Sequence, residues 1–493
     1  MSVHWRFVKN ASANLGRGGA AAVVSLLLPP ILVRHMTAAS YAVWVLILQT
    51  AAYAGYMNFG LQTAIGRYVA YAKEKGDIEQ RDSVFSTALL GLCAACALSL
   101  LCLGVVVMTA TKIFPSVPGP LIAPMRLALL LVGVSMAAEL PASACNGVFV
   151  GMERYDIPAI IAGTARLISA AGLVMAALAG KSLVTMAVIV AGSNVCSQVA
   201  QYIAMRRLVP DLGFRWASLR RETARELSGY CFGLTVVSFS MLLVTGLDLV
   251  LVGHFDFASV TPYSVAASMI AFISGVLYAI VNVIMPHATA LHAQDRPEAL
   301  GRLVVSTTRV GVLLLAVTGI PLFIYSGPII RLWIGQRYVA AGTPILETLI
   351  LANIIRLVGA PFALVMVAAG EHQYIKISPL AEGLTNFAAS VVLGAAFGGI
   401  GIALGTLIGS VVGIASHFWY SMPRTNPVVR FSRRDFLVSG ILMPTAWMSP
   451  LILAALASWA GLAIPQVVFV CVTALSLTGA AVLLLRMRRA AHT

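Results

Sequence analysis

Apolar residues in this chain form long unbroken runs rather than stripes at helical or strand spacing. Each run of roughly 20 or more residues is long enough, at about 1.5 Å per residue, to cross the ~30 Å hydrocarbon core of a bilayer. Fourteen are predicted. The first seven are Asn10–Val33, Tyr41–Ile65, Val84–Ala110, Leu121–Val148, Ile157–Ala179, Leu183–Arg206 and Gly229–Val252. The rest are Tyr263–Pro286, Leu303–Tyr325, Thr343–Ala369, Tyr374–Ala396, Gly399–Tyr420, Phe436–Ala457 and Ile464–Leu485. Such runs exclude a transmembrane β-barrel, whose strands alternate over about ten residues. Lipid offers the backbone no hydrogen-bond partner, so every run is predicted to be a helix. The expected fold class is an all-α polytopic membrane protein with almost no chain left for a soluble domain.

Composition agrees: 59% of residues are hydrophobic and 10% charged, too apolar for a soluble interior of this size. Arg6 and Lys9 precede the first run and no cleavage site follows it, so it reads as an uncleaved span. The net charge of +15 invites a nucleic-acid partner, but its distribution gives another cause. An even number of spans puts both termini on one side. With the termini in the cytoplasm, 23 of the 33 Lys and Arg fall on inside segments, 6 on outside edges and 4 within spans. That is the asymmetry of an inserted membrane protein, and it sets the orientation. The seven cysteines all fall inside spans and read as packing residues, Cys93 and Cys96 included.

The chain resembles itself at an offset of about 220. Leu32-Val33-Arg34-His35 aligns with Leu251-Val252-Gly253-His254. Val84, Ser86, Thr87 and Gly91 align with Val304, Ser306, Thr307 and Gly311, and Gly151 and Tyr155 with Gly370 and Tyr374. Two parallel six-helix units follow: an N-lobe over 1–208 and a C-lobe over 229–420, joined by a linker over 209–228. Residues 421–493 supply a cytoplasmic loop, two further spans and a basic tail. Arg206, Arg207, Arg215, Arg220, Arg221 and Arg225 make the linker region a cationic strap, expected to lie on the headgroups. Two lobes around a midplane cavity is the architecture of a transporter.

Charges inside the spans carry the candidate chemistry. Arginine at the bilayer centre costs about 2.5–3.5 kcal/mol on insertion scales, so Arg17, Arg166, Arg309 and Arg356 must face a cavity, a partner or a route to the headgroups. Arg17 and Arg309 lie near enough to the cytoplasmic end to snorkel; Arg166 and Arg356 are deeper. Among the acids, Asp248 and Glu347 lie about a turn from the outer face, where capping is the simpler role. Glu139 and Glu382 are deeper, and Asn386 one turn after Glu382 makes a polar strip. Each deep acid either neutralises an arginine or takes up a proton or Na⁺ during a cycle. A chamber with several guanidiniums favours an anionic cargo bearing phosphate or carboxylate. Pro29-Pro30 interrupts the first span as a kink or a hinge. His35, His254, His287, His292 and His417 sit near span ends and read as interfacial. No Ser/His/Asp set, phosphate-cradling loop or metal-ligand spacing is present, so neither catalysis nor a cofactor nor a metal is expected.

Several span ends carry a family resemblance. Leu32-Val33-Arg34-His35-Met36 with Tyr41-Ala42-Val43-Trp44 resembles the first loop of polysaccharide flippases, with Met36, Thr37 and Ala42 replacing the usual Leu, Gly and Gly. Asn58-Phe59-Gly60-Leu61 through Arg67-Tyr68-Val69-Ala70 is similar to the motif ending their second span, with Asn58 where Asp is common. Gly151-Met152-Glu153-Arg154-Tyr155, Gly246-Leu247-Asp248 and the stretch from Pro286 to Ala293 resemble later motifs. The family is the polysaccharide transporter and O-antigen flippase branch of the multidrug/oligosaccharidyl-lipid/polysaccharide exporter superfamily. The resemblance implies two six-helix lobes plus two C-terminal helices in a bacterial inner membrane. It further implies movement of an undecaprenyl-diphosphate-linked oligosaccharide to the periplasmic leaflet, among membrane lipids and with a polysaccharide polymerase and other assembly proteins as partners. Arg67 and Asp248 then occupy family-like positions. Two other readings stay open: an ion-coupled multidrug exporter of the same superfamily, and a membrane glycosyltransferase or polymerase. The second of these requires a large outside loop, and none here exceeds about a dozen residues.

Overall fold

A computed structural model describes residues 24–282, 284–371 and 374–459, with 474, 478 and 479. In chain order the described helices are α1 Val24–His35, α2 Ala38–Lys75, α3 Ile78–Ile113, α4 Gly119–Gly151, α5 Asp156–Leu178 and α6 Leu183–Leu208. Then follow α7 Arg221–Gly246, α8 Phe257–Ala279, α9 Pro297–Ile324, α10 Gln336–Ala368, α11 Ile377–Phe397 and α12 Gly399–Arg424. The last, α13, is a pair, Arg433–Trp447 and Ser449–Ala457, bent by 60°. Eleven of these helices are long and apolar enough to cross a membrane, twelve if the bent pair is one span. The described part of the first expected span is the short helix α1, and the fourteenth, Ile464–Leu485, lies outside the described residues apart from 474, 478 and 479. The helical assignment of α1 runs unbroken through Pro29 and Pro30. Helices in lipid accommodate proline when neighbouring groups satisfy the freed carbonyls.

The internal repeat is visible in the helix boundaries. The starts of α2 to α6 and of α8 to α12 differ by 219, 219, 217, 221 and 216 residues. Even an irregularity recurs. α4 breaks at Ala138, and α10 breaks at Val358, 220 residues later.

Packing divides the chain into two compact units, Met1–Thr261 and Pro262–Thr493. The seventh span belongs to the first unit because α2 grips it. Gln49 and Tyr53 hydrogen-bond its backbone, and Gly253 admits the Leu46 side chain. The core of this unit is built on Ile65, Val69, Phe85, Leu92, Val148 and Phe149. There α2 and α4 touch backbone to backbone. A Cβ on Gly147 would lie 2.8 Å from Gln62 O, and one on Gly151 2.9 Å from Gly66 O. Small residues at such crossings replace the hydrophobic effect, which cannot drive helix association where the solvent is itself apolar.

The linker is docked on protein along part of its length. Leu212 is fully buried in the first core. Asp82, 3% exposed near the start of α3, accepts from Arg81 at 2.8 Å and from Arg215 at 3.1 Å. Arg81 also reaches Asp211 at 2.6 Å, Arg220 pairs with Glu79, and Ser86 Oγ accepts the Arg215 N–H at 3.2 Å. A buried carboxylate is tolerable only when paired and hydrogen-bonded, and two arginines meet that need for Asp82.

Arg81 beside Asp211 holds that carboxyl below the usual carboxylate range. A depressed folded pKa stabilises the dock above the unfolded value of about 3.9, and the stabilisation is lost as pH falls through the folded value. Hydrogen exchange of the 209–220 amides, taken relative to the intrinsic rate at each pH, is therefore expected to quicken on acidification below about pH 4. D82N is expected to quicken it at neutral pH, because two arginines then lose their shared anion. Unchanged exchange in D82N would mean that the apolar plug at Leu212 alone holds the linker.

Candidate functional site

In the first unit, uncharged polar side chains gather where helices break. α2 breaks at the turn Tyr53–Asn58 and resumes after Phe59 and Gly60, both left-handed at φ 51° and 76°. α7 ends in a π-turn, Leu242–Gly246, which takes the Gly246 carbonyl out of the ordinary helical ladder. Gln49 Nε2 and Tyr53 Oη donate to that carbonyl at 2.9 and 2.6 Å. Asp248 then opens the short helix Asp248–Phe255; it is buried, and its charge acts on Tyr53. Asn58 donates to Ser143 Oγ at 2.9 Å and accepts from the Gln62 N–H at 3.1 Å, capping the resumed half of α2. Glu139, exposed, heads the resumed half of α4, where the helix dipole favours a carboxylate.

The second unit holds a charged cluster. Arg356 lies just before the break in α10. Its Nη2 donates to Asn353 Oδ1 at 3.0 Å, and the same oxygen accepts from Ser274 Oγ at 3.0 Å. Tyr278 on α8 and Glu382 on α11 both lie within electrostatic reach of this guanidinium. Glu382 is 8% exposed. Neither Nη1 of Arg356 nor Oε1 of Glu382 has a hydrogen-bond partner among the described residues. A buried donor and a buried acceptor, both unsatisfied, mark a place prepared for something else: an anion, a proton, a cation or water.

Glycines set how deeply Glu382 is buried. Gly401, Gly405, Gly409 and Gly413 recur every fourth residue on α12 and form a ridge without side chains. Against it lie Leu393, Ser390, Asn386 and Glu382 of α11. A Cβ on Gly409 would sit 2.7 Å from Asn386 Cβ, and one on Gly413 2.9 Å from Glu382 Cδ. Within the polar strip Ser390 Oγ donates to Asn386 Oδ1 at 3.0 Å. One turn beyond Gly413, His417 packs edge-on against Phe362 with ring centroids 5.7 Å apart, and its Nδ1 is buried without a partner. That overturns the interfacial reading of this histidine.

The remaining candidates are placed elsewhere. Arg309 donates Nε to Ser439 O at 2.9 Å, in the π-segment Phe436–Leu442 that opens α13. Arg166 is exposed on α5. Arg67 is exposed in the second half of α2, its guanidinium over the Tyr230 and Tyr68 rings at 5.0 and 5.7 Å. Arg17 lies outside the described residues. The structure thus brings Arg356 to Glu382 and Asp248 to Tyr53, and ties Arg309 to α13. Sequence reasoning missed Gln49, Tyr53, Ser274, Tyr278 and Asn353. Their signal was spacing: 49/53 and 274/278 are one helical turn apart inside apolar runs.

Solved structures share this fold. The chain is similar to a lipid II flippase, MurJ, in an inward closed conformation, at 12% identity and a TM-score of 0.71, covering 99% of this chain and 100% of that one. It is also similar to an inward-facing multidrug resistance MATE family transporter of the MOP superfamily, at 14% identity and TM-score 0.65 over 82% and 95% of the two chains. A MOP superfamily transporter from Pyrococcus furiosus, described by a reversed polarity of its binding pocket, matches at 14% identity and TM-score 0.58 over 86% and 96%. No curated protein matches the sequence. The profile of one family, described as polysaccharide biosynthesis protein, matches residues 7–292, more than half of the chain. A multi-pass helical membrane protein with the fold of MurJ and the MATE transporters, this chain belongs to the polysaccharide biosynthesis protein family.

Proposed function

We propose that this protein is a flippase that moves a polyprenyl-diphosphate-linked oligosaccharide from the cytoplasmic to the periplasmic leaflet of a bacterial inner membrane, by alternating access and with both termini cytoplasmic. The observation that carries the reading is the unsatisfied guanidinium nitrogen of Arg356 within a membrane span. A guanidinium in low dielectric is a receptor for phosphate oxygens, and a diphosphate is the charged part common to such cargo. Membership of a polysaccharide biosynthesis family supports a sugar-bearing lipid over other anions. Arg356 is the first headgroup residue in this reading, with Arg166, Arg67 and Arg17 as further contacts. Arg309, bonded to Ser439 O, joins the headgroup only through nitrogens other than Nε.

A second reading, an ion-coupled multidrug exporter, is favoured by the buried carboxyl of Glu382 and by the likeness to MATE transporters. In either reading Glu382, Asp248 and Glu139 are the candidates for coupling to an ion. Lipid analysis of a deletion strain separates the two. Accumulation of a cytoplasm-facing undecaprenyl-diphosphate oligosaccharide, reversed by the wild-type gene, is the expected result. Normal surface polymer together with drug hypersensitivity would establish the exporter instead, and absence of the lipid-linked sugar altogether would place the protein at its synthesis.

A further inference from the structure

The linker docked on α3 presents a surface that the transport reading does not use. Phe214 and Trp216 stand side by side on it, rings edge to face with centroids 4.9 Å apart, and Trp216 is 73% exposed. They are held firmly. The residue between them, Arg215, is fixed through its N–H to Ser86 Oγ, through its guanidinium to Asp82, and through Nη2 to the Asp211 carbonyl. A rigid exposed indole in water is a liability; at a membrane–water interface it is at its preferred depth. The helix beneath fixes that depth. α3 has 36 residues, about 54 Å at 1.5 Å each, so it overshoots a ~30 Å hydrocarbon core. Its charged residues Glu79, Arg81 and Asp82 occupy the cytoplasmic end, and its apolar run begins at about Val84, level with Ser86. The aromatic pair is therefore tied to the turn of α3 where hydrocarbon gives way to headgroups.

Charge fits the same surface. Arg215 and Arg220 are used in ion pairs and Arg206 bonds the Leu212 carbonyl. Arg207, Arg221 and Arg225, at the ends of the two spans that the linker joins, are exposed and have no ion pair among the described residues. We infer that the linker is a docking site for anionic phospholipid headgroups of the cytoplasmic leaflet, with Phe214 and Trp216 seated at the acyl boundary and Arg207, Arg221 and Arg225 on the phosphates. Basic residues beside the aromatic anchor each contribute about 1 kcal/mol of attraction to an anionic surface.

The full-length protein in nanodiscs of phosphatidylcholine, with or without phosphatidylglycerol, tests this. The W216F-minus-wild-type difference isolates Trp216 fluorescence from the other tryptophans. It is expected to be blue-shifted and to be quenched by lipids brominated near the top of the acyl chain. Each of R207Q, R221Q and R225Q is expected to weaken phosphatidylglycerol retention, read by native mass spectrometry, by about fivefold. W216A, which removes a ring that is 73% exposed, is expected to leave thermal stability in detergent unchanged. A water-like Trp216 untouched by brominated lipid, or retention indifferent to all three arginines, would overturn the inference; the former would point to a soluble cytoplasmic partner instead.

Discussion

Gly405→Leu is expected to abolish recovery of a folded, monodisperse protein, while Gly192→Ala on α6 is expected to be tolerated. The two glycines lie in similarly apolar helices and differ only in what stands opposite. A Cβ on Gly405 would lie 2.6 Å from Ser390 N and 2.7 Å from Ser390 Cα, whereas one on Gly192 meets nothing within 4 Å. Backbone cannot swing aside as a side chain can. Overpacking by even a methylene or two costs typically 1–3 kcal/mol, and a leucine forces α11 and α12 apart along the whole ridge. Separation then strips Asn386 and Ser390 of their packed neighbours and exposes Glu382 to lipid. Against a total stability of about 5–15 kcal/mol, that loss is close to unfolding. Gly405→Ala is the graded case, lowering the melting temperature without abolishing the fold. At Gly192 alanine has the better helix propensity by up to about 1 kcal/mol and meets no obstacle. Thermal unfolding and size exclusion in detergent give the answer. A Gly405→Leu protein that melts with wild type would mean that α11 and α12 are not packed by this seam.

What the sequence made legible follows from what lipid demands. Length and apolarity place the spans, because nothing but a helix survives in hydrocarbon. The repeat at an offset near 219 was readable at span ends, where Leu-Val, His, Gly and Tyr recur, and helix boundaries repeat at nearly the same spacing. The breaks inside the spans were not readable. The π-turns at Leu242–Gly246 and Phe436–Leu442 contain no proline and hardly differ in composition from unbroken helix. They depend on distant partners: Gln49 and Tyr53 on one Gly246 carbonyl, and Arg309 on Ser439. The docked linker was illegible for the same reason. Asp82 and Arg215 are 133 residues apart, and in sequence each is an ordinary loop charge. Counting charged residues found Arg356 and Glu382 but could not tell that one is held by Asn353 and the other by a glycine ridge. The ridge itself, glycine at every fourth position from 401 to 413, was in plain view as a close-packing signal.

Arg356→Ala is expected to cut export by roughly 10- to 100-fold, and its combination with a change at Glu382 tells why. If Arg356 serves only to balance a neighbouring carboxylate, then removing both charges restores a neutral, functional bundle. If it receives the anionic headgroup, the double variant recovers stability but not transport. The geometry favours the second outcome. Arg356 already satisfies one nitrogen on Asn353 and keeps Nη1 unsatisfied, while Oε1 of Glu382, which a purely structural partnership would bring to that nitrogen, is also without a partner. A charge-assisted hydrogen bond to a phosphate is worth about 1.5–3 kcal/mol, so losing it lowers export by roughly 10- to 100-fold. The single variant also leaves Glu382 buried beside no cation, which lowers stability by about 2 kcal/mol. Arg356→Ala with Glu382→Gln removes that stability defect. Arg356→Lys keeps the charge but loses the planar fork, and is expected to fold well and transport poorly. Surface polysaccharide, membrane abundance and melting temperature, measured together on the four proteins, separate the cases. Normal polymer in the double variant would strip Arg356 of any headgroup role and leave the proposed anion route without its first contact.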